Sequence, residues 1–191
     1  SYFNPEEPNS KIEIIYDGYA ERLLAKQMEN MTEEAVSQVA ENYYIQGDIT
    51  VREEWQDIPV EEISKWENYV KLRNQMEPDY KTLGAVWVYI DTSTMTGKTD
   101  EEEYQMYEEV FRDKLGGEAL LYVYYLEHKS FEKAEKILEI FTSGDEGSKF
   151  EDIIEGQPYF GTIMRSNSKT FDDSLEVFKA AKRGEEQEIF Q

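Results

Sequence analysis

Ala119-Leu120-Leu121-Tyr122-Val123-Tyr124-Tyr125-Leu126 is the stretch on which the fold class turns. Its eight residues are rich in aromatic and β-branched side chains, which fit a pleated, half-buried surface, so it reads as a strand. Read instead as the first arm of a helical hairpin, it would make the whole chain α-helical. The run Leu83 to Ile90 has the same character: Val86-Trp87-Val88-Tyr89-Ile90 is dense in β-formers and reads as a buried strand rather than a helix, although so short a run fits either. Tyr159 to Met164 reads as a third strand. The expectation is an α+β chain, helix-dominated, with a small sheet from 84–91, 119–126 and 159–164. The alternative is an all-α helical-hairpin protein.

Helices are expected around these runs. Residues 1–9 form an extended lead-in. Ser10 and Glu13 make a capping-box pattern for a helix over 11–29, weakened by about 1 kcal/mol at Gly18. Thr32 caps a second helix over 33–45, with Ala35, Val36, Val39 and Tyr43 inward, and Gln46-Gly47-Asp48 stops it. Ile49, Val51, Glu53 and Trp55 alternate, which suggests a short strand or an extended link. Pro59 opens a helix with Val60, Ile63, Trp66 and Val70 on one stripe, ended by Pro78. Thr99 with Glu102 opens another, to about 115, before Gly116-Gly117. Ser130 caps a helix to 141, Ser148 with Glu151 a short one, and Thr170 with Asp173 the last, which stops at Gly184. The chain therefore divides into a helical part, 1–80, and an α+β part, 81–191, within one compact unit. The expected core includes Leu23, Leu24, Val39, Trp66, Val70, Trp87, Tyr89, Phe111, Leu121, Val123, Ile137, Phe141, Phe160 and Phe178.

Composition narrows the chemistry. Among 191 residues, 42 acidic side chains face 20 basic ones, a net charge of -22. The 14 Tyr, 9 Phe and 3 Trp argue for a folded core inside a charged shell rather than a disordered acidic chain. With no cysteine, disulfides, thiolate metal sites and cysteine nucleophiles are out. His128 is the one histidine, and between Glu127 and Lys129 it reads as a solvated turn residue. No apolar run approaches the roughly 20 residues of a membrane span. The charge repels phosphates, which excludes direct nucleic-acid binding. The composition fits the cytoplasm, or an extracytoplasmic site if a leader has been removed.

Three resemblances bear on the site. Val86 to Thr94 runs from an apolar strand into Asp91-x-Ser93, which resembles the start of a von Willebrand factor A-type metal site. Thr162, 71 residues after Asp91, stands near where that family places its next ligand. The resemblance implies a divalent cation, Mg²⁺, on Asp91, Ser93 and Thr162, all oxygen ligands. Met95 stands where the motif has its second hydroxyl, so the plainer reading is a Thr- and Ser-rich loop between strand and helix. The order of landmarks over 119–190, from Tyr125-Leu126 through Phe131-Glu132, Phe150-Glu151, Phe160-Gly161 and Phe171-Asp172 to Lys182-Arg183-Gly184, resembles parvulin-type prolyl isomerases. Tyr125 stands where that family has its first-strand His, so the resemblance implies a degenerate foldase that binds without catalysing. Tyr122, Leu126, Phe131, Ala134, Ile137 and Leu138 resemble one tetratricopeptide-like pair, and stacking needs about three. Gly97-Lys98-Thr99 lacks the earlier glycine of a phosphate loop, since Thr92 stands there, and is a helix cap.

The function expected from these readings is a non-catalytic acidic protein-binding module or accessory protein, with no cofactor and no enzymatic activity of its own. Tyr124, Tyr159 and Phe160 are its expected partner-binding anchors. The alternatives are an acidic inhibitor that imitates nucleic acid, of the kind phages use against host defences, and the degenerate foldase or chaperone domain outside the membrane. The expected partner is another protein, one with a basic surface under the second reading.

Overall fold

The computed structural model describes residues 18–55, 57–77, 81–140, 147–164, 171 and 174–185. Four strands form one mixed sheet in the order β1 (Tyr43–Ile49), β2 (Gly84–Asp91), β3 (Ala119–Leu126) and β4 (Tyr159–Met164). β2 and β3 are parallel, and the two edge pairings are antiparallel. The helices are α1 (Tyr19–Val39), α2 (Val60–Ile63), α3 (Trp66–Asn74), α4 (Asp100–Glu109, extended by a π turn over Val110–Leu115), α5 (His128–Ile140), α6 (Gly147–Ile154) and α7 (Leu175–Lys182). The chain is thus α+β, and the all-α alternative falls because Ala119–Leu126 pairs on both sides within the sheet.

Alternation along the strands separates two apolar clusters. Val86, Val88, Ile90, Leu121, Val123, Tyr125 and Phe160 point to one face and bury against α1, α4 and α7. Tyr89 and Leu126 point to the other, under Phe131, Ala134 and Leu138 of α5 and Phe150 of α6. Parallel neighbours need a crossover, and α4 supplies it between β2 and β3. Its start is a capping box: Thr99 Oγ1 accepts from Glu102 N, and the Glu102 carboxylate accepts from Thr99 N. Its end is Gly116 at φ 70, a left-handed position that suits glycine.

α1 departs from expectation. It runs unbroken through Thr32, which caps nothing: it is fully buried and its hydroxyl donates to Met28 O at 2.9 Å. Gly18 precedes the helix as its left-handed N-cap instead of weakening its interior. The expected helix over 33–45 ends at Val39, and Tyr43 to Ile49 becomes an edge strand, so the first 80 residues are not wholly helical. Tyr43, Tyr44 and Ile45 are strand formers, and pairing with β2 overrides the helical periodicity that leads into them. α1 covers the outer edge of β1. Glu29 accepts from Gly47 N at 2.9 Å, and a Cβ on Gly47 would come within 3.0 Å of Ala25 O.

The helix opened by Pro59 breaks at Ser64-Lys65 into α2 and α3. α3 is anchored by Tyr69, fully buried, whose hydroxyl donates to Leu83 O and accepts from Arg73 Nε at 3.0 Å. Burial pushes the Tyr69 phenol up to about 12. α5 begins at His128 rather than after Ser130, and α7 is capped by Ser174, which accepts from Val177 N. Of the expected core, Leu23 is 36% exposed because it lies on the solvent side of α1, and Trp66, Val70, Trp87 and Ile137 are only half-buried. The expectations at Ser10, Glu13, Pro78, Phe141, Thr170 and Asp173 lie outside the described residues.

A carboxylate also lies inside the main core. Glu103 of α4 is fully buried. Its Oε1 accepts from Tyr107 OH at 3.1 Å and from Tyr125 OH at 2.6 Å, and its Oε2 from Lys182 Nζ at 2.7 Å. Lys182 also donates to Asp100 at 2.7 Å and lies over the rings of Tyr125 and Phe178. Burial works against the Lys182 charge, but the Glu103 and Asp100 carboxylates outweigh it and raise its pKa. Lys182→Met would leave Glu103 an uncompensated buried charge. The expected loss is about 3–5 kcal/mol of unfolding free energy, read from urea denaturation. Equal stability of variant and parent would show that α7 does not depend on this pair.

Candidate functional site

β2 and β3 end side by side, with Asp91 opposite Leu126. The residue two beyond Leu126 is His128, the first of α5, and its Nδ1 lies 2.7 Å from Asp91 Oδ2. Asp91 Oδ1 accepts from Ser93 N at 3.0 Å and Ser93 Oγ at 2.7 Å. Thr92 Oγ1 donates to Leu126 O at 3.0 Å and ties the two strand ends together. Asp91 is fully buried, whereas the His128 ring is about half exposed and its Nε2 stands 3.8 Å from Glu132. Burial works to raise the Asp91 carboxyl, but the hydrogen bonds from Ser93 and His128 prevail and its pKa is lowered. The Asp91 carboxylate raises that of His128. His128 is thus solvent-exposed, as the sequence suggests, but it opens α5 rather than sitting in a turn, and it pairs with a buried carboxylate.

Asp91 and Ser93 are brought together as the metal reading requires, and Thr162 is not. Thr162 lies in register with Leu121 and Val86, five residues along the sheet from Asp91, or ~16 Å at strand spacing. By alternation it faces the opposite side, into the main core, where it is 2% exposed and its hydroxyl has no hydrogen-bond partner. Both Asp91 oxygens are engaged by Ser93 and His128. Among the described residues no three or more His, Asp or Glu side chains cluster as a metal site would need.

The anchor residues separate in the same way. Tyr124 and Tyr159 lie in one row of the sheet with Tyr89, their rings stacked at 5.3 Å spacing and within about 20° of parallel. Tyr89 is buried under Phe150 of α6, so the row runs from the interior outward. Its outer end opens into a cleft of about 430 Å³ between the end of α6, the start of β4 and the end of α7. Tyr124, Tyr159 and Pro158 give its apolar wall, and Glu151, Glu155 and Glu185 its acidic one. Burial raises the Tyr124 phenol above its ordinary value, helped by the neighbouring Tyr159. Phe160 is fully buried against Phe178 at 4.9 Å and cannot anchor a partner. The structure differs from the expectation here because neighbouring residues on a strand face opposite sides, so Phe160 turns inward where Tyr159 turns to the cleft. Tyr125, where the foldase resemblance expects a His, is buried on Glu103 and faces no cleft. The cleft is missed by sequence because residues from three separate segments form it. The legible signal was Tyr124 and Tyr159 on two strands.

The family model described as Domain of unknown function (DUF5037) matches residues 1–191, and the chain belongs to that family. A solved DUF5037 family protein from Ruminococcus gnavus ATCC 29149 is 82% identical, with a TM-score of 0.87 over 96% of this chain and 78% of that one. No curated protein matches.

Two outcomes are expected. The Asp91–His128 pair contributes stability above the unfolded Asp value near 3.8, lost as pH falls through the lowered folded value, and below the unfolded His value near 6.5, lost as pH rises through the raised folded one. The Tm difference between parent and His128→Ala should therefore be greatest between about pH 4 and 6.5 and fade above it. A difference independent of pH would mean that packing alone is lost. Thr162→Val removes a buried hydroxyl with no partner at nearly constant volume. It should be neutral or stabilise by up to about 1 kcal/mol in thermal unfolding, whereas a loss of 2 kcal/mol or more, on the scale of a lost buried interaction, would give the hydroxyl a role.

Proposed function

We propose that this member of the DUF5037 family is a non-catalytic protein-binding module that engages a partner protein at the cleft beside Tyr124 and Tyr159. One observation carries the reading: a stacked row of tyrosines, packed at its inner end, finishes in an open concave site. Rings held by their neighbours lose little conformational freedom when a partner covers them, and tyrosine combines a large apolar surface with a polar tip. The cleft walls offer phenols, carboxylates and backbone, a lining suited to recognition. The Asp91–His128 pair lies elsewhere and serves to hold α5 against the end of β2.

Pull-down from the source cell at low and high salt, with Tyr159→Ala alongside, tests the reading. A partner retained at high salt and lost with Tyr159→Ala is the expected result. Basic nucleic-acid enzymes recovered at low salt only, and equally by both proteins, would favour the nucleic-acid imitation reading, because exposed charges are screened within about 8 Å at physiological ionic strength.

A further inference from the structure

We infer that the cleft receives a cationic side chain, an arginine of the partner, stacked on Tyr159 and paired with a carboxylate of the rim. The inference rests on the protein-binding reading and names the group that enters the site. Two features converge on positive charge. Glu151 and Glu155 are exposed on the α6 side of the cleft and have no ion-pair partner among the described residues, whereas Glu185 is held by Arg183 at 2.7 Å. α6 and α7 both end at this opening, so the negative ends of two helix dipoles fall on it. The left-handed glycines Gly156 and Gly184 that stop these helices line the cleft, and the space beside Gly156 is open, with nothing within 4 Å of where a Cβ would stand.

The remaining wall is aromatic. Tyr124 is covered on both faces by Tyr89 and Tyr159, so the outer face of Tyr159 is the one that offers the negative part of the ring quadrupole to a cation. An apolar side chain would use the tyrosines but bury the carboxylates unpaired, and an anion would be repelled by every charged group there. A guanidinium suits both walls, because its plane stacks on a phenol while its edge donates two hydrogen bonds to a carboxylate. Lysine offers the charge without the plane and should bind more weakly.

A nine-residue peptide with one central arginine in a Gly/Ser background, its ends blocked, is titrated into the ¹⁵N-labelled protein at physiological salt. Peptides with lysine or citrulline at the centre serve as comparisons. The expected result is chemical-shift change concentrated at residues 151–159 and 184–185, weaker with lysine and absent with citrulline. Affinity should fall about fivefold in Glu155→Gln and in Tyr159→Ala, the size of one exposed cation–π or charge-assisted contact, and be kept in Tyr159→Phe. Shifts that are absent, spread over the whole surface, or unchanged by both substitutions would overturn the inference, as would equal binding of citrulline. If a natural partner is captured through Tyr159 while the arginine peptide leaves the cleft unperturbed, the protein-binding reading stands and the arginine assignment falls. If the peptide maps to the cleft but partner capture ignores Tyr159→Ala, the partner does not enter this cleft, and the protein-binding reading falls together with the inference built on it.

Discussion

Seven residues of β2 lie beside seven of β3 in parallel register, from Ala85 opposite Leu120 to Asp91 opposite Leu126. Parallel neighbours cannot be joined by a tight turn, so the chain must leave the sheet and return across one face. α4 makes that journey, and its inner side becomes the centre of the main core. The same register brings the two strand ends level, which places Asp91 within reach of the first residue of α5. It also aligns Tyr89 with Tyr124, and β4 extends that row to Tyr159. Shifting the register by one residue would turn every one of these side chains to the other face. The core, the Asp91–His128 pair and the tyrosine row thus depend on a single alignment.

A net charge of -22 has to be accommodated around that sheet. Part of it is used locally: Asp100, Glu101, Glu102 and Glu103 occupy the first turn of α4, where the positive end of the helix favours carboxylates. Of these, Glu103 turns inward and is satisfied by two phenols and Lys182, so a carboxylate joins α4, β3 and α7. Exposed pairs such as Arg112–Asp113 and Lys65–Glu62 contribute little, because water and salt screen them. The unpaired carboxylates at the tyrosine cleft are different, since they stand at a concave site beside aromatic faces.

Several features could be read along the chain because they are local. The dense β-formers of 84–91 and 119–126 mark strands whatever they pair with. Thr99 with Glu102 satisfies the first amides of α4 within four residues, and Gly116 ends that helix by its own φ. The misreadings share one cause, that the deciding partner is distant in sequence. Tyr43 continues the helical periodicity of α1, yet pairs with Ile90. Thr32 looks like a cap until the packing of α1 shows an unbroken helix through it. Phe160 and Tyr159 are both aromatic neighbours, and only the face that packs on Phe178 tells which is buried.

Composition and local pattern were enough to establish a helix-dominated α+β chain, three of its four strand segments, the absence of cysteine and an excess of acidic side chains. These follow from residue type, short-range spacing and charge, which need no knowledge of what lies opposite. Register, the partner of His128, the burial of Glu103, the separation of Thr162 from Asp91 and the opening at the end of the tyrosine row belong to the tertiary structure. Each depends on groups from different segments meeting at a few ångströms, and a one-residue change in pairing would alter all of them without changing any local pattern.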